Sequence, residues 1–244
     1  MTELYEYNNH IMIYSGYSEP EAHKHAAAHV LLSENKMRVN VDDDEYFVRG
    51  IAIPSGKVHS ADNNGESVIV FLFDETTSAA EQIRDVVTLS DEVVSQLIDK
   101  FRVYKDSGRN TQDYVSFIQN LYMSVGIDEL PRAISDERIK AAIYFINQRI
   151  GTRITCKEVA SAVFMSESRF SHLFKYEMGI TFVGFLQMRQ LSYAYYLIIN
   201  GRSITDAALD AGFSSTAHFS ATHKRLFGLR ATDISSDVEF YKIQ

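Results

Sequence analysis

TCKEVASAVFMSESRFSHLFKYEMG (155–179) and SITDAALDAGFSSTAHFSATHKRLFG (203–228) are one unit written twice, about 48 residues apart. Each opens on a hydroxyl residue, runs through a short apolar segment around an alanine, turns, offers a serine, and continues into a longer amphipathic segment that closes on glycine. Thr155 with Glu158, and Ser203 with Asp206, set an N-cap hydroxyl three residues before an acid, which satisfies the first free N–H groups of a helix. Ala160 and Ala208 stand where two helices approach closely, Gly212 suits a turn with positive φ, and Ser166 and Ser214 are the expected caps of the longer helices. A short helix bracing a longer one is a helix-turn-helix, whose second helix is free to enter a DNA major groove.

The helical period sorts each longer helix into two faces. At about 100° per residue, Phe170, Leu173 and Phe174 share the inner side of the first, leaving Ser168, His172, Lys175 and Tyr176 outward. In the second, Phe219, His223 and Leu226 form the inner stripe. Ala217, Ala221, Lys224 and Arg225 face out there, with His218 and Ser220 flanking. One such helix is equally well a solvated face of a bundle; the duplication favours DNA reading.

In these residues the chain resembles the AraC/XylS family of bacterial transcription activators. The resemblance covers roughly 135–235, through the run ASAVFMSESRFSHLFKYEMGITFVGFLQMRQL and then the second repeat, in the family's order and spacing. It implies seven helices, a linker helix at about 182–199, and recognition helices in successive major grooves. By position, Ser168, Ser171 and His172 match the family's base-reading sites in the first unit, and Thr216, Ala217, His218 and Ala221 those in the second. The chain departs from the pattern at Phe164, where a turn glycine is usual, and at Ala221, where an arginine is common. It departs again at His223, in place of a core phenylalanine, and at Ala231, in place of a proline. None of the matched reading positions carries an Arg or Gln for bidentate base contacts, so direct readout is expected to be modest, with thymine methyl contacts, His and Ser hydrogen bonds and DNA shape supplying the remainder.

Charge divides the chain in the same place. Residues 132–236 hold 13 Lys and Arg against 8 Asp and Glu, whereas the first 131 residues hold 10 against 22, within a net charge of −8. Phosphate contacts dominate affinity for DNA, so the basic part is the expected binder and the acidic part is not. No apolar run reaches membrane-spanning length, and the polar start MTELYEYNNH lacks the features of a signal peptide; a cytoplasmic protein with no membrane partner is expected. The single Cys156 excludes an intramolecular disulfide and reads as a small packing residue.

The N-terminal 80 residues alternate short apolar runs (HIMIYSGY, HVLL, YFVRGIAIP, SVIVFLF) with polar breaks, which suggests a small antiparallel β-sandwich or barrel. From about Ser90 the period becomes helical. Val93, Val94, Leu97, Ile98, Phe101 and Tyr104 recur at helix spacing, and after SGRN so do Tyr114, Val115, Ile118, Leu121 and Tyr122, giving an amphipathic hairpin. In the resembling family this region commonly pairs protomers, which makes Val94, Leu97, Ile98, Phe101 and Tyr104 the candidate dimerisation residues. Pro54, Ser55, Gly56 and His59, then Asn63, set against His23, His25 and His29, resemble the two short motifs of cupins. The acid of that metal set is missing, His29 standing near its place. The expectation is therefore no metal and no cofactor, with Pro54-Ser-Gly56 a strand-connecting turn and His23, His25, His29 and His59 partly exposed; the same four are the only candidate ligands.

The expected protein is α+β. A cupin-like β-sandwich or barrel sensing domain (1–80) is followed by a helical hairpin for dimerisation (81–131), a DNA-binding domain with two helix-turn-helix units (132–236) and a C-terminal tail (237–244). Its expected role is that of a sequence-specific, non-enzymatic regulator, an activator, binding double-stranded promoter DNA as a homodimer, working with RNA polymerase and answering to a small-molecule effector. Two other readings remain open at this point: a metal-dependent cupin enzyme, and an anti-regulator that works through partners with weakened DNA binding.

Overall fold

The computed structural model describes residues 2–16, 19–128, 134–227 and 238–243. The chain divides into two compact units, one of Met1–Pro131, Leu226–Gly228 and Asp237–Gln244 and one of Arg132–Arg225 with Leu229–Ser236. The mixed fold class expected from the sequence holds: the first unit is a sheet with helices, and the second is helical among its described residues.

The sheet comprises Thr2–Tyr7 (β1), His10–Ser15 (β2), Glu19–Lys24 (β3), Ala28–Val41 (β4), Asp44–Ile53 (β5), Val58–Asp62 (β6), Val68–Phe73 (β7), Val87–Leu89 (β8) and Val238–Lys242 (β9). The long β4 organises it. β4 pairs antiparallel with β7 over Ala28–Ser33 and with β6 over Arg38–Val41, while β5 runs back along it with an irregularity between Leu32 and Met37. Changing partners along one strand lets the sheet curl, and both faces of β4 become interior. Val30 and Leu32 join one apolar cluster, and Leu31 joins the other with Ile51, Ile53 and Ala61. The β4–β5 connection is a two-residue turn in which Asp42 takes φ of 52°, a conformation that short polar side chains tolerate.

Ser78–Gln82 (α1), Asp91–Asp106 (α2) and Thr111–Ser124 (α3) complete this unit. Ser90 and Asn110 cap α2 and α3 by accepting from Val93 N–H and Asp113 N–H, which fixes where the hairpin helices begin. Their apolar stripes do not face outward. Val94, Leu97, Ile98, Phe101 and Tyr104 are all buried, in one cluster with Tyr5, Met12, Val30, Phe71 and the α3 residues Tyr114, Phe117, Ile118 and Leu121. The stripe expected to pair protomers is thus the cover that the sheet's apolar face requires, and a partner chain has no access to it. Gly50 makes the close fit possible, since a Cβ there would lie 2.5 Å from Val94 Cγ2.

The segment expected as a tail is also structural. β9 pairs parallel with β1, from Thr2 opposite Val238 to Glu6 opposite Lys242, and Tyr241 stacks on Tyr5 with centroids 4.9 Å apart.

The second unit contains Glu137–Arg149 (α4), Cys156–Ala162 (α5), Glu167–Met178 (α6), Phe182–Ile199 (α7), Ile204–Asp210 (α8) and all but the last two residues of Thr216–Phe227 (α9). α7 coincides with the linker helix that the family resemblance implies. The implied seventh helix, Gly228 and Ala231 lie outside the described residues. Among those residues no helix is long and apolar enough to cross a membrane.

Candidate functional site

The two helix pairs are built by caps, close packing and turns. At α5, Thr155 accepts from Glu158 N–H and Glu158 accepts from Thr155 N–H, a complete capping box; at α8, Ser203 accepts from Asp206 N–H. Ala160 and Ala208 are fully buried, as close helix contact requires. Ser166 caps α6, but the cap of α9 is Ser215, not the expected Ser214: Ser215 Oγ accepts from His218 N–H at 3.0 Å, while Ser214 Oγ lies 3.1 Å from His218 Nδ1. Gly212 takes φ of 87°, and a Cβ there would sit 2.9 Å from Thr152 O, so the turn before α9 has no room for another residue type.

These supports fix what each longer helix presents. On α6, Phe170 and Phe174 are buried, Ser168, Ser171, His172 and Tyr176 are exposed, and Lys175 is half-buried. On α9, Phe219 and His223 are buried, Ala217, His218, Ala221 and Lys224 are exposed, and Thr216 and Arg225 are half-buried. Every expected reading residue therefore lies off the buried stripe of its helix. Arg225 donates to Gln187 on α7 at 2.9 Å, which makes it a brace of α9 on the linker helix as well as a surface cation.

His223 occupies the core in a phenylalanine's role and adds a polar tie, with its Nε2 2.6 Å from the buried hydroxyl of Tyr195 on α7. The sequence placed His223 inward but gave no sign of Tyr195 as its partner.

In the first unit the structure gathers the four histidines. His23 on β3 lies directly across from His59 on β6. Gly56 N–H donates to His25 O at 3.1 Å, so the turn between β5 and β6 is tied to the segment that carries His25. Ring centroids are 4.4 Å apart for His23 and His59, 5.5 Å for His23 and His25, 5.2 Å for His25 and His59, 4.2 Å for His25 and His29, and 4.6 Å for His29 and His59. Contrary to the expectation of partly exposed side chains, His25, His29 and His59 are buried, at 6%, 3% and 4% exposure. Burial, reinforced by the neighbouring imidazoles, pushes His25 down to about 3 and His29 well below the usual histidine range, so both rings are neutral at physiological pH.

A family model described as a helix-turn-helix domain matches residues 159–236. Residues 159–236 carry the helix-turn-helix domain of the AraC/XylS family. The chain is 34% identical over 89 residues to the probable transcriptional regulator LumQ of Photobacterium leiognathi, an alignment covering 36% of each chain. It is 38% identical over 65 residues to the virulence regulon transcriptional activator VirF of Yersinia enterocolitica, covering 26% of this chain and 24% of that one. The alignments thus span about a third or less of these relatives. In fold, the chain is similar to the crystal structure of ToxT from Vibrio cholerae O395, with a TM-score of 0.54 and 11% identity over 93% of this chain and 97% of that one.

Within the AraC-type unit, Phe164 shows the cost of departing from the usual turn glycine. Its φ is 57° and its side chain is 98% exposed, so a left-handed conformation is held by a residue that gains no packing there. Left-handed backbone costs a residue with a Cβ about 1–2 kcal/mol. Phe164→Gly is therefore expected to stabilise the unit by about 1 kcal/mol, since glycine's extra freedom in the unfolded chain offsets part of the gain. Urea denaturation of the two proteins measures it; a less stable variant would show that Phe164 makes a stabilising contact.

Proposed function

We propose that the chain is a sequence-specific DNA-binding transcriptional regulator. The observation that carries the reading is the repetition of a capped helix pair, each with its longer helix exposing a polar and small-residue face. The basic balance of residues 132–236 supports the same target, because phosphate neutralisation dominates DNA affinity. The similarity to VirF, a transcriptional activator, favours activation at promoters, and hence work with RNA polymerase. Control would lie in the N-terminal unit. There, Tyr14, Leu32, Ile69, Ile98 and Phe101, together with Ser67, Glu34, Arg102, Lys105 and Asp106, line a cavity of about 230 Å³ whose mixed apolar and charged walls suit a small amphipathic effector.

Lys224 is exposed on α9, next to the reading positions, and is assigned to phosphate. Lys224→Ala is expected to weaken binding across DNA sequences and to lower the slope of log K against log salt by about one unit. Anisotropy titrations at several salt concentrations decide this; an unchanged affinity and slope would remove Lys224 from the interface.

A further inference from the structure

We propose that His23, His25 and His59 bind a divalent transition metal in the N-terminal unit. One ligand nitrogen from each lies within 4.8 Å of those of the other two, a spread that closes around a single ion when each nitrogen moves inward by up to about 0.7 Å. Metal–imidazole bonds of about 2.0–2.1 Å set that requirement. Two of the three rings already have the right tautomer. Nδ1 of His23 lies 3.1 Å from Glu21 O and Nδ1 of His59 lies 2.9 Å from Lys57 O. A carbonyl only accepts, so the proton of each neutral ring sits on Nδ1 and the lone pair on Nε2, the arrangement that backbone carbonyls impose on histidine ligands. In His25, Nδ1 accepts from Ala27 N–H at a long 3.3 Å, and ligation through Nε2 exchanges that contact for a metal bond.

A second, independent observation points to an occupant. His25 Nε2 is buried with no hydrogen-bond partner among the described residues, and so is Nδ1 of His29, whose ring packs against His25 and His59. Buried polar atoms left unsatisfied cost stability. A cation held by nitrogen supplies the missing partner. An all-imidazole set suits zinc, iron(II), nickel or copper over magnesium or calcium. Three protein ligands leave a fourth position for water or an anionic molecule, so the site suits a sensor that takes the metal, or the metal with a bound anion, as its signal. The proposal stands independently of the DNA-binding reading, since it concerns the N-terminal unit alone.

The test uses the full chain, stripped with chelator and titrated with cobalt(II) and zinc(II). The expected result is one equivalent per chain by mass spectrometry, visible cobalt d–d absorption, and a melting temperature that rises with zinc. His25→Ala and His59→Ala are each expected to lower affinity by more than about a hundredfold and to abolish the cobalt bands. Because truncating a buried ring can disturb folding, His23→Ala is made in parallel: His23 is the least buried of the three, and this variant should keep the metal-free circular dichroism spectrum while losing the bands. Binding far below one equivalent in the wild type, or cobalt spectra and affinity unchanged in His23→Ala, would overturn the proposal.

Discussion

Replacing His223 by alanine is expected to destabilise the C-terminal unit by about 4 kcal/mol, more than any substitution on the outward faces of α6 and α9. The side chain is 1% exposed and packs near Phe219 and Tyr195, with ring centroids at 6.0 and 5.7 Å. Truncating a buried aromatic residue to alanine costs about 3–5 kcal/mol, and the Tyr195 hydroxyl, itself buried, loses a 2.6 Å partner. Tyr195→Phe should cost only about 1–2 kcal/mol, because it removes the hydrogen bond and keeps the ring. His218→Ala, at an exposed position, should change stability by less than about 0.5 kcal/mol while altering base preference. Urea unfolding together with selection from random DNA separates these effects; a stable His223→Ala protein with changed base preference would place His223 in the interface instead of the core.

Acid should unfold the N-terminal unit through a histidine that the sequence left unremarked. His10 is fully buried, its Nδ1 donating to Asn9 Oδ1 at 2.9 Å and its Nε2 accepting from the Tyr114 hydroxyl at 2.8 Å, a pair of bonds that requires the neutral ring. Burial pushes its pKa down from 6.5 to about 3. A base depressed in the folded state stabilises the fold fully above its unfolded pKa, and that contribution is lost as pH falls from 6.5 toward 3. At pH 5 the loss from His10 alone is about 2 kcal/mol. His10→Gln, which cannot titrate, should be less stable than wild type at pH 7 yet lose about 2 kcal/mol less between pH 7 and 5. An identical pH dependence in the two proteins would show that His10 titrates normally.

The C-terminal unit was the more legible because local chemistry decides it. Caps at Thr155, Ser166 and Ser203, the glycine at 212 and the 3.6-residue period each act within a few residues, and the structure shows all of them in place. The misplaced cap at Ser214 marks the limit: two adjacent serines offer the same hydroxyl, and only the turn geometry chooses Ser215. Strands were legible where they were apolar, at β2, β4, β5 and β7. Those reading EPEAHK, VHSAD and VEFYK were not, because their partners, not their composition, make them strands. The hairpin stripe shows a different limit. An amphipathic period says that Val94, Leu97, Ile98, Phe101 and Tyr104 are covered, not by what, and the cover is this unit's own sheet. The histidines lie between these cases. The resemblance to cupin motifs grouped the four, but the opposition of His23 and His59 belongs to strand register, which no local pattern reveals.

The central claim, that two helix-turn-helix units in one chain read DNA together, is tested most directly by selecting genomic fragments with the intact, purified protein and sequencing those retained. The predicted result is a recurring site with two short conserved elements at a fixed spacing, and His172→Ala and His218→Ala should each relax preference at one element only. Retention of fragments with no shared sequence, or no retention at salt concentrations where nonspecific binding persists, would contradict it.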